Sequence, residues 1–120
     1  MHIDSLKTLV VGALEDLKAR DVAILDVSRL TSVTDLMILA SGTSTRHVAA
    51  LANHVVEQAK AQGLRPLGVE GQADSDWVLV DLGDIVVHVM LPETRQLYDL
   101  ERLWADLPDD IELREEHRGA

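Results

Sequence analysis

Hydrophobic residues recur at spacings of three and four in three segments of the chain, a pattern typical of helices that bury one side. The first segment predicts a helix over residues 5–20, with Asp4 as its N-cap. The second predicts a helix that starts after the N-cap residue Ser44 and ends at Gly63. The third covers residues 92–107 and begins with a proline, which suits the first position of a helix.

Short runs of apolar and β-branched residues between these helices predict five strands. They lie at residues 22–27, 36–41, 64–70, 77–82 and 85–91, and Pro66 makes the third an edge strand. The order α-β-β-α-β-β-β-α predicts a single α/β domain with a mixed β-sheet flanked by helices. We expect this domain to span residues 1–108, followed at residues 109–120 by a disordered acidic tail.

The last two predicted strands flank Gly83-Asp84, which suits a two-residue hairpin turn, and they give the hairpin two different faces. Pairing across that turn places six aliphatic residues on one face, which must be core: Val78, Val80, Leu82, Ile85, Val87 and Val89. The other face, here called the mixed face, carries Trp77, Leu79, Asp81, Val86, His88 and Met90. Either the last helix covers the mixed face with Leu97 and Leu100, or the face binds a partner through aromatic anchors. Both hold if the helix covers one end only.

Charge and aromatic residues are concentrated in the second half of the chain. The 21 acidic and 11 basic residues leave a net charge of −10. Residues 1–66 hold seven of each sign, so residues 67–120 carry the whole excess, together with the aromatic residues Trp77, Tyr98 and Trp104. This charge disfavours direct binding to nucleic acid phosphates. It is compatible with a basic protein partner, with a cation, or simply with solubility.

The 120 residues contain no cysteine, no long apolar run and no signal peptide pattern, and these absences exclude several classes of protein. There is no cysteine, which excludes disulfides, thiolate metal sites and a cysteine nucleophile and fits a reducing compartment. No apolar run approaches the ~20 residues of a membrane span. The N-terminus lacks the basic region and the small-residue cleavage site of a signal peptide. We therefore expect a soluble, cytoplasmic protein without membrane partners.

Two groups of polar residues are candidates for chemistry. Residues 42–47 join a strand to a helix, where an anion can bind, but they lack a nucleotide-binding motif and are more typical of a capped turn. His47 and His54 are too far apart along their helix to share a metal. The acidic group holds four residues that could bind magnesium for nucleotidyl transfer: Asp74, Asp76, Asp81 and Asp84.

The acidic residues also have a simpler interpretation. Asp84 lies in a predicted turn, where aspartate is favoured for local hydrogen bonds, and Asp74 and Asp76 fit an ordinary loop. No third acid stands in a convincing register, and no serine lies in a nucleophile elbow. The residues therefore do not indicate an enzyme, and we expect no cofactor or bound metal.

Three blocks of the sequence carry a recognisable pattern, in chain order LDVSRLTSVTDLMILASGTSTRHVAALANHVV, GVEGQADSDWVLVDLGDIVVHVM and RQLYDLERLW. Together they resemble the ribosomal silencing factor family, also called Iojap-like. The resemblance covers about residues 5–108 and implies a nucleotidyltransferase-like core without the catalytic acids. It also implies a homodimer that binds the large ribosomal subunit through its fourteenth ribosomal protein. Occupying that surface would block joining of the small subunit and lower translation when nutrients are short.

The family's pattern also implies which residues bind the partner. On this chain it falls on Glu70, Gly71, Trp77, Asp81, His88, Arg95, Tyr98, Leu100, Glu101 and Trp104. We expect Trp77 and Tyr98 to anchor the contact, and Asp81 and Glu101 to face basic residues of the partner. The pattern also includes Gly83 and Asp84, as well as Arg46 and His47, whose place at a helix start fits a structural role. The chain departs from the family at Leu36-Met37, where members often have an aromatic residue.

Three functions follow, in order of preference. The first is a non-enzymatic translational repressor that occludes the large subunit and does not bind a specific nucleic acid sequence. The second is a nucleotidyltransferase-like enzyme that uses magnesium with Asp74, Asp76 or Asp81. The third is a dimeric scaffold that assists ribosome assembly on precursor particles.

Overall fold

The structure, a computed structural model, describes residues 1–71, 74–100 and 102. The helices are α1 (Ile3–Asp16), α2 (Thr45–Ala61) and α3 (Pro92–Tyr98). The strands are β1 (Arg20–Asp26), β2 (Leu36–Ser41), β3 (Gly68–Glu70), β4 (Trp77–Asp81) and β5 (Ile85–Met90). This is the predicted order of elements. Among the described residues, no helix is long and apolar enough to cross a membrane.

The five strands form one mixed sheet in the order β1-β2-β5-β4-β3. β2 and β5 run parallel, whereas the other neighbouring pairs are antiparallel. β3 lies at an edge, as predicted, but it spans only Gly68–Glu70, so Pro66 lies before the strand and not within it. The predicted α/β domain with a mixed sheet is therefore confirmed.

The main core lies between one face of the sheet and the two long helices. Val10 and Leu14 of α1 and Leu51 and Val55 of α2 are fully buried there. They pack with the six aliphatic hairpin residues predicted to be core: Val78, Val80, Leu82, Ile85, Val87 and Val89. The alternation of the hairpin therefore identified the correct buried face.

The ends of α1 differ from the prediction. The helix begins at Ile3, and its N-cap is His2, whose Nδ1 accepts a hydrogen bond from the Asp4 backbone N–H, so Asp4 is not the cap. The helix stops at Asp16 because Lys18 adopts a left-handed backbone conformation with φ of 63°. The first strand accordingly starts at Arg20, two residues earlier than predicted.

The last helix is shorter than its apolar pattern predicts. α3 begins with Pro92 at its first turn, as expected, but ends at Tyr98 because Asp99 is a left-handed C-cap with φ of 52°. The predicted continuation to residue 107, the stop at Pro108 and the acidic tail at 109–120 lie outside the described residues, apart from Leu100 and Arg102.

Ser44 caps α2 as predicted, since its side chain accepts a hydrogen bond from the His47 backbone N–H at 3.1 Å. We expect Ser44→Ala to lower the free energy of unfolding by about 1 kcal/mol, because it leaves that N–H without its side-chain acceptor. Urea denaturation measures the change. Ser44→Asp is the control, because it keeps a capping oxygen and should retain most of the stability.

Candidate partner-binding face

The β4–β5 hairpin builds the mixed face with the predicted register. Trp77 pairs with Met90, Leu79 with His88, and Asp81 with Val86, so these six side chains share one side of the sheet. The turn depends on Gly83, whose φ of 91° favours glycine, and whose N–H donates to Asp81 Oδ1 at 2.9 Å. Asp81 therefore stabilises the turn as well as lying on the mixed face.

Trp77 is the centre of an aromatic cluster on the mixed face. Its indole N–H donates to Nδ1 of His88 at 2.9 Å, and the two ring centroids lie 5.7 Å apart. On the other side its ring lies against Tyr98 of α3, with centroids 5.0 Å apart and planes tilted by 50°. A hydrogen bond and a tilted ring contact thus hold the indole in one orientation.

His88 is neutral in this arrangement. Its Nδ1 accepts from Trp77, so the ring proton resides on Nε2. The side chain is 7% exposed, and burial lowers the pKa of His88 from 6.5 to about 4. Protonation of Nδ1 would also remove the acceptor that orients the indole.

We expect His88 to make the fold less stable as the pH falls from about 6.5 to about 4. In this window the unfolded chain binds a proton at His88 and the folded chain does not, so acid favours unfolding. The contribution is about 3 kcal/mol. Urea denaturation at pH 7 and pH 4 should show a loss larger by that amount in the wild type than in His88→Asn, which does not titrate. Equal losses in the two proteins would contradict the burial of a neutral histidine.

Gly71 allows the backbone before the hairpin to approach β4 closely. Its φ is 110°, and a Cβ there would lie 2.7 Å from the Trp77 carbonyl oxygen and 3.0 Å from the Val78 Cα. Any side chain would therefore push against the backbone that carries Trp77. The preceding residue, Glu70, is exposed and pairs with Leu79, which places it on the mixed face, diagonal to Asp81 across the β3–β4 pair. Two carboxylates thus lie near one edge of this face.

Polar contacts attach α3 to the sheet and to the loop before β4. Arg95 is 9% exposed, and its guanidinium donates to the hydroxyl of Ser41, the last residue of β2, at 3.0 Å. Thr94 donates to the carboxylate of Asp76 at 2.9 Å, and the Leu91 N–H donates to the carbonyl oxygen of Asp76 at 3.0 Å. These contacts hold α3 where Tyr98 can reach Trp77.

A second apolar cluster lies at the β2 side of the mixed face. Its buried members are Val27, Met37, Leu39 and Met90, with Leu25, Trp77 and Leu100 packed against them. Leu100 therefore covers one end of the face, which fits the alternative in which the last helix covers only part of it. Leu97 does not take part in this cover, because its side chain is 76% exposed. Tyr98 is 56% exposed and presents an aromatic surface to solvent.

The structure brings together most of the residues implied by the family pattern. Six of them lie on the mixed face or pack against it: Glu70, Trp77, Asp81, His88, Tyr98 and Leu100. Gly71 contributes through its backbone, and Arg95 anchors α3 from the interior. Glu101 and Trp104 lie outside the described residues. Sequence reasoning missed the contact between Asp76 and Thr94, because no spacing rule relates a loop residue to a later helix.

The turn at residues 42–47 is a capped turn. Nδ1 of His47 accepts from the Thr43 N–H at 2.9 Å, and Nε2 lies 2.7 Å from the carbonyl oxygen of Leu17. His47 thereby ties the start of α2 to the end of α1. His54 contacts Asp16 at 3.0 Å, a second link between these helices. In the part of the chain that the structure describes, no three His, Asp or Glu residues are grouped to hold a metal.

Comparison with known proteins gives consistent matches. A family model described as "Ribosomal silencing factor during starvation" matches residues 1–120. A Chromobacterium violaceum protein named "Ribosomal silencing factor RsfS" is 50% identical over 104 residues, 87% of this chain and 85% of that protein. A crystal structure of a protein from the same organism has a TM-score of 0.85 at 50% identity and covers 88% of both chains. A Mus musculus protein named "Mitochondrial assembly of ribosomal large subunit protein 1" is 39% identical over 99 residues, 80% of this chain and 43% of that protein.

Proposed function

Since the chain belongs to the ribosomal silencing factor family, we propose that it represses translation by binding the large ribosomal subunit and blocking the joining of the small subunit. The observation that carries this proposal is the Trp77 cluster on the mixed face. A half-buried tryptophan held by His88 and flanked by an exposed tyrosine has the composition of a binding hot spot. The chain is a regulatory factor, acts in the cytoplasm and forms a homodimer.

The fourteenth protein of the large subunit is the proposed partner. Its basic surface suits the acidic edge of the mixed face, where Glu70 lies beside the strand that carries Asp81. Trp77 and Tyr98 supply the apolar anchor, while the two carboxylates fix orientation and speed association. The net charge of −10 disfavours ribosomal RNA as the main contact.

A role in ribosome assembly is the second candidate, favoured by the name of the mouse relative. The same face would then bind precursor particles. The two roles predict binding to different particles. A repressor binds mature large subunits and blocks their joining, whereas an assembly scaffold binds precursor particles and leaves the joining of mature subunits unaffected.

The nucleotidyltransferase alternative finds less support in the acidic residues. The Asp76 carboxylate accepts from Thr94 and the Asp81 carboxylate accepts from the Gly83 N–H, so both serve structural contacts. An enzyme of that kind would bind nucleotide with magnesium, which equilibrium dialysis tests directly.

Co-sedimentation with purified ribosomal subunits tests the proposed contact. We expect the chain to pellet with large subunits, not with small ones, and to bind the isolated fourteenth protein. The double variant Glu70→Gln, Asp81→Asn should bind more weakly, because it removes both carboxylate charges from the face. The matched control is Asp4→Asn with Glu57→Gln, which removes two charges from α1 and α2. Equal binding to both subunits, or equal effects of the two double variants, would contradict the proposal.

A further inference from the structure

A groove, here called the edge groove, lies beside β3 and the end of α2, on the main-core face of the sheet. Its volume is about 240 Å³, and six residues line it: Val56, Lys60, Arg65, Pro66, Gly68 and Val69. Val69 pairs with the buried Val80, yet it is 48% exposed, so α2 does not cover this strand completely. Leu67, two residues before it, is 75% exposed. The β3 edge therefore presents an apolar surface that the described residues leave uncovered.

The charged residues that line the edge groove are both cations. Lys60 lies in the last turn of α2 and Arg65 lies between α2 and β3, and both residues are exposed. None of the six lining residues is acidic. Within residues 1–71, 74–100 and 102, neither cation forms an ion pair. An apolar surface beside two available cations fits an apolar segment that carries carboxylates.

The acidic tail, residues 109–120, has this composition. It holds five acidic residues and two arginines, and its large apolar residues are Ile111 and Leu113. Side chains alternate along an extended segment, which would put both apolar residues on one side. The carboxylates of Asp109 and Glu115 would fall on that same side. The two exposed apolar residues at the β3 edge are also two positions apart, so the spacing of the tail matches that of the groove.

The chain is long enough to place the tail in the edge groove. From Arg102 to Ile111 the chain can span up to about 30 Å, at about 3.3 Å a residue. The full width of the sheet, from β1 to β3, is about 19 Å, which leaves roughly 10 Å to pass around its edge. Because the tail is covalently attached, its effective concentration at the groove exceeds that of a free partner.

We propose that the acidic tail binds the edge groove of its own chain. Ile111 and Leu113 cover the apolar surface of the β3 edge, and the tail carboxylates face Lys60 and Arg65. The bound tail shields β3, which has no neighbouring strand on its outer side among the described residues, and an open edge of this kind can pair with other chains. The proposal does not rest on the ribosomal contact, because the edge groove and Trp77 lie on opposite faces of the sheet.

A spin label near the end of the tail tests this placement by nuclear magnetic resonance. The chain contains no cysteine, so the full-length variant His117→Cys carries a nitroxide at that position alone. We expect the label to broaden the backbone amide signal of Val69 much more than that of Ile24, because β1 forms the opposite edge of the sheet. A sharp Val69 signal, or equal broadening at both edges, would overturn the proposal.

A mixture of two forms of the protein shows whether the tail binds its own chain. The spin-labelled chain is mixed with an isotope-labelled chain that carries no spin label, and only the isotope-labelled chain gives signals. We expect no selective broadening of Val69 in this mixture. Broadening as strong as that within one chain would overturn the assignment, because the tail would then bind a second copy.

A pair of substitutions in the edge groove tests the contribution of charge. Lys60→Gln with Arg65→Gln should lower the equilibrium constant for tail binding about fivefold, because each exposed ion pair contributes only modestly. The broadening at Val69 measures this change. The matched control, Lys7→Gln with Arg20→Gln, removes the same charge from α1 and β1 and should bind the tail like the wild type. Equal tail binding in the two double variants would overturn the assignment of the groove.

Discussion

Trp77→Ala is expected to weaken binding to isolated large ribosomal subunits by about 2 kcal/mol or more, which is about 30-fold in affinity. The indole is the largest side chain of the mixed face and is held by His88 and Tyr98. It therefore loses little conformational entropy when it binds a partner. Truncation removes the contact area of the indole and also the ring against which Tyr98 packs. Co-sedimentation over a range of subunit concentrations measures the affinity.

Two further variants make this result specific. Leu97→Ala truncates a side chain of α3 that is 76% exposed and should bind like the wild type. Trp77→Phe keeps an aromatic ring but removes the N–H that donates to His88, and its affinity should lie between those of Trp77→Ala and the wild type. Circular dichroism confirms that each variant is folded. A folded Trp77→Ala that binds with wild-type affinity would exclude Trp77 as the anchor.

Leu51→Ala is expected to lower the free energy of unfolding by about 3 to 4 kcal/mol. Leu51 is fully buried between α2 and the sheet, so truncation loses apolar contacts and leaves a cavity. Urea denaturation measures the loss. Leu97→Ala is again the matched control, since an exposed leucine should change stability by no more than about 0.5 kcal/mol.

The two leading variants should have separate effects, because they lie on opposite faces of one sheet. Leu51→Ala should retain ribosome affinity wherever it remains folded, whereas Trp77→Ala should retain more stability than Leu51→Ala. If Leu51→Ala abolished binding while the protein remained folded, the division between a structural face and a binding face would be wrong.

The parts of the fold governed by local pattern were predictable from the sequence. Alternation and the Gly83-Asp84 turn predicted the hairpin register and its buried face, because a one-residue slip would expose every aliphatic side chain. Ser44 marked the start of α2 correctly. The end of α3 was not predictable, since Asp99 takes a left-handed conformation while Leu100 continues the apolar pattern.

The candidate site was predictable as a face but not as a set of contacts. Period-two alternation placed Trp77 and His88 on the same side, but the indole-to-imidazole hydrogen bond depends on rotamers set by packing. The burial of Arg95 was also not predictable, because arginine is usually exposed and its hydrogen-bond acceptor, Ser41, lies 54 residues earlier in the chain. Polar contacts between residues so far apart in the chain follow no fixed spacing, so a single sequence does not reveal them.

We expect the chain, once bound to the large subunit, to prevent its joining with the small subunit. Purified large and small subunits are mixed with the wild-type chain or with Trp77→Ala, and the fraction of joined ribosomes is measured on a density gradient. Occlusion predicts that saturating wild-type protein lowers this fraction and remains with free large subunits, while Trp77→Ala at the same concentration has little effect. Normal joining in the presence of saturating, bound wild-type protein would contradict occlusion and favour a role in assembly.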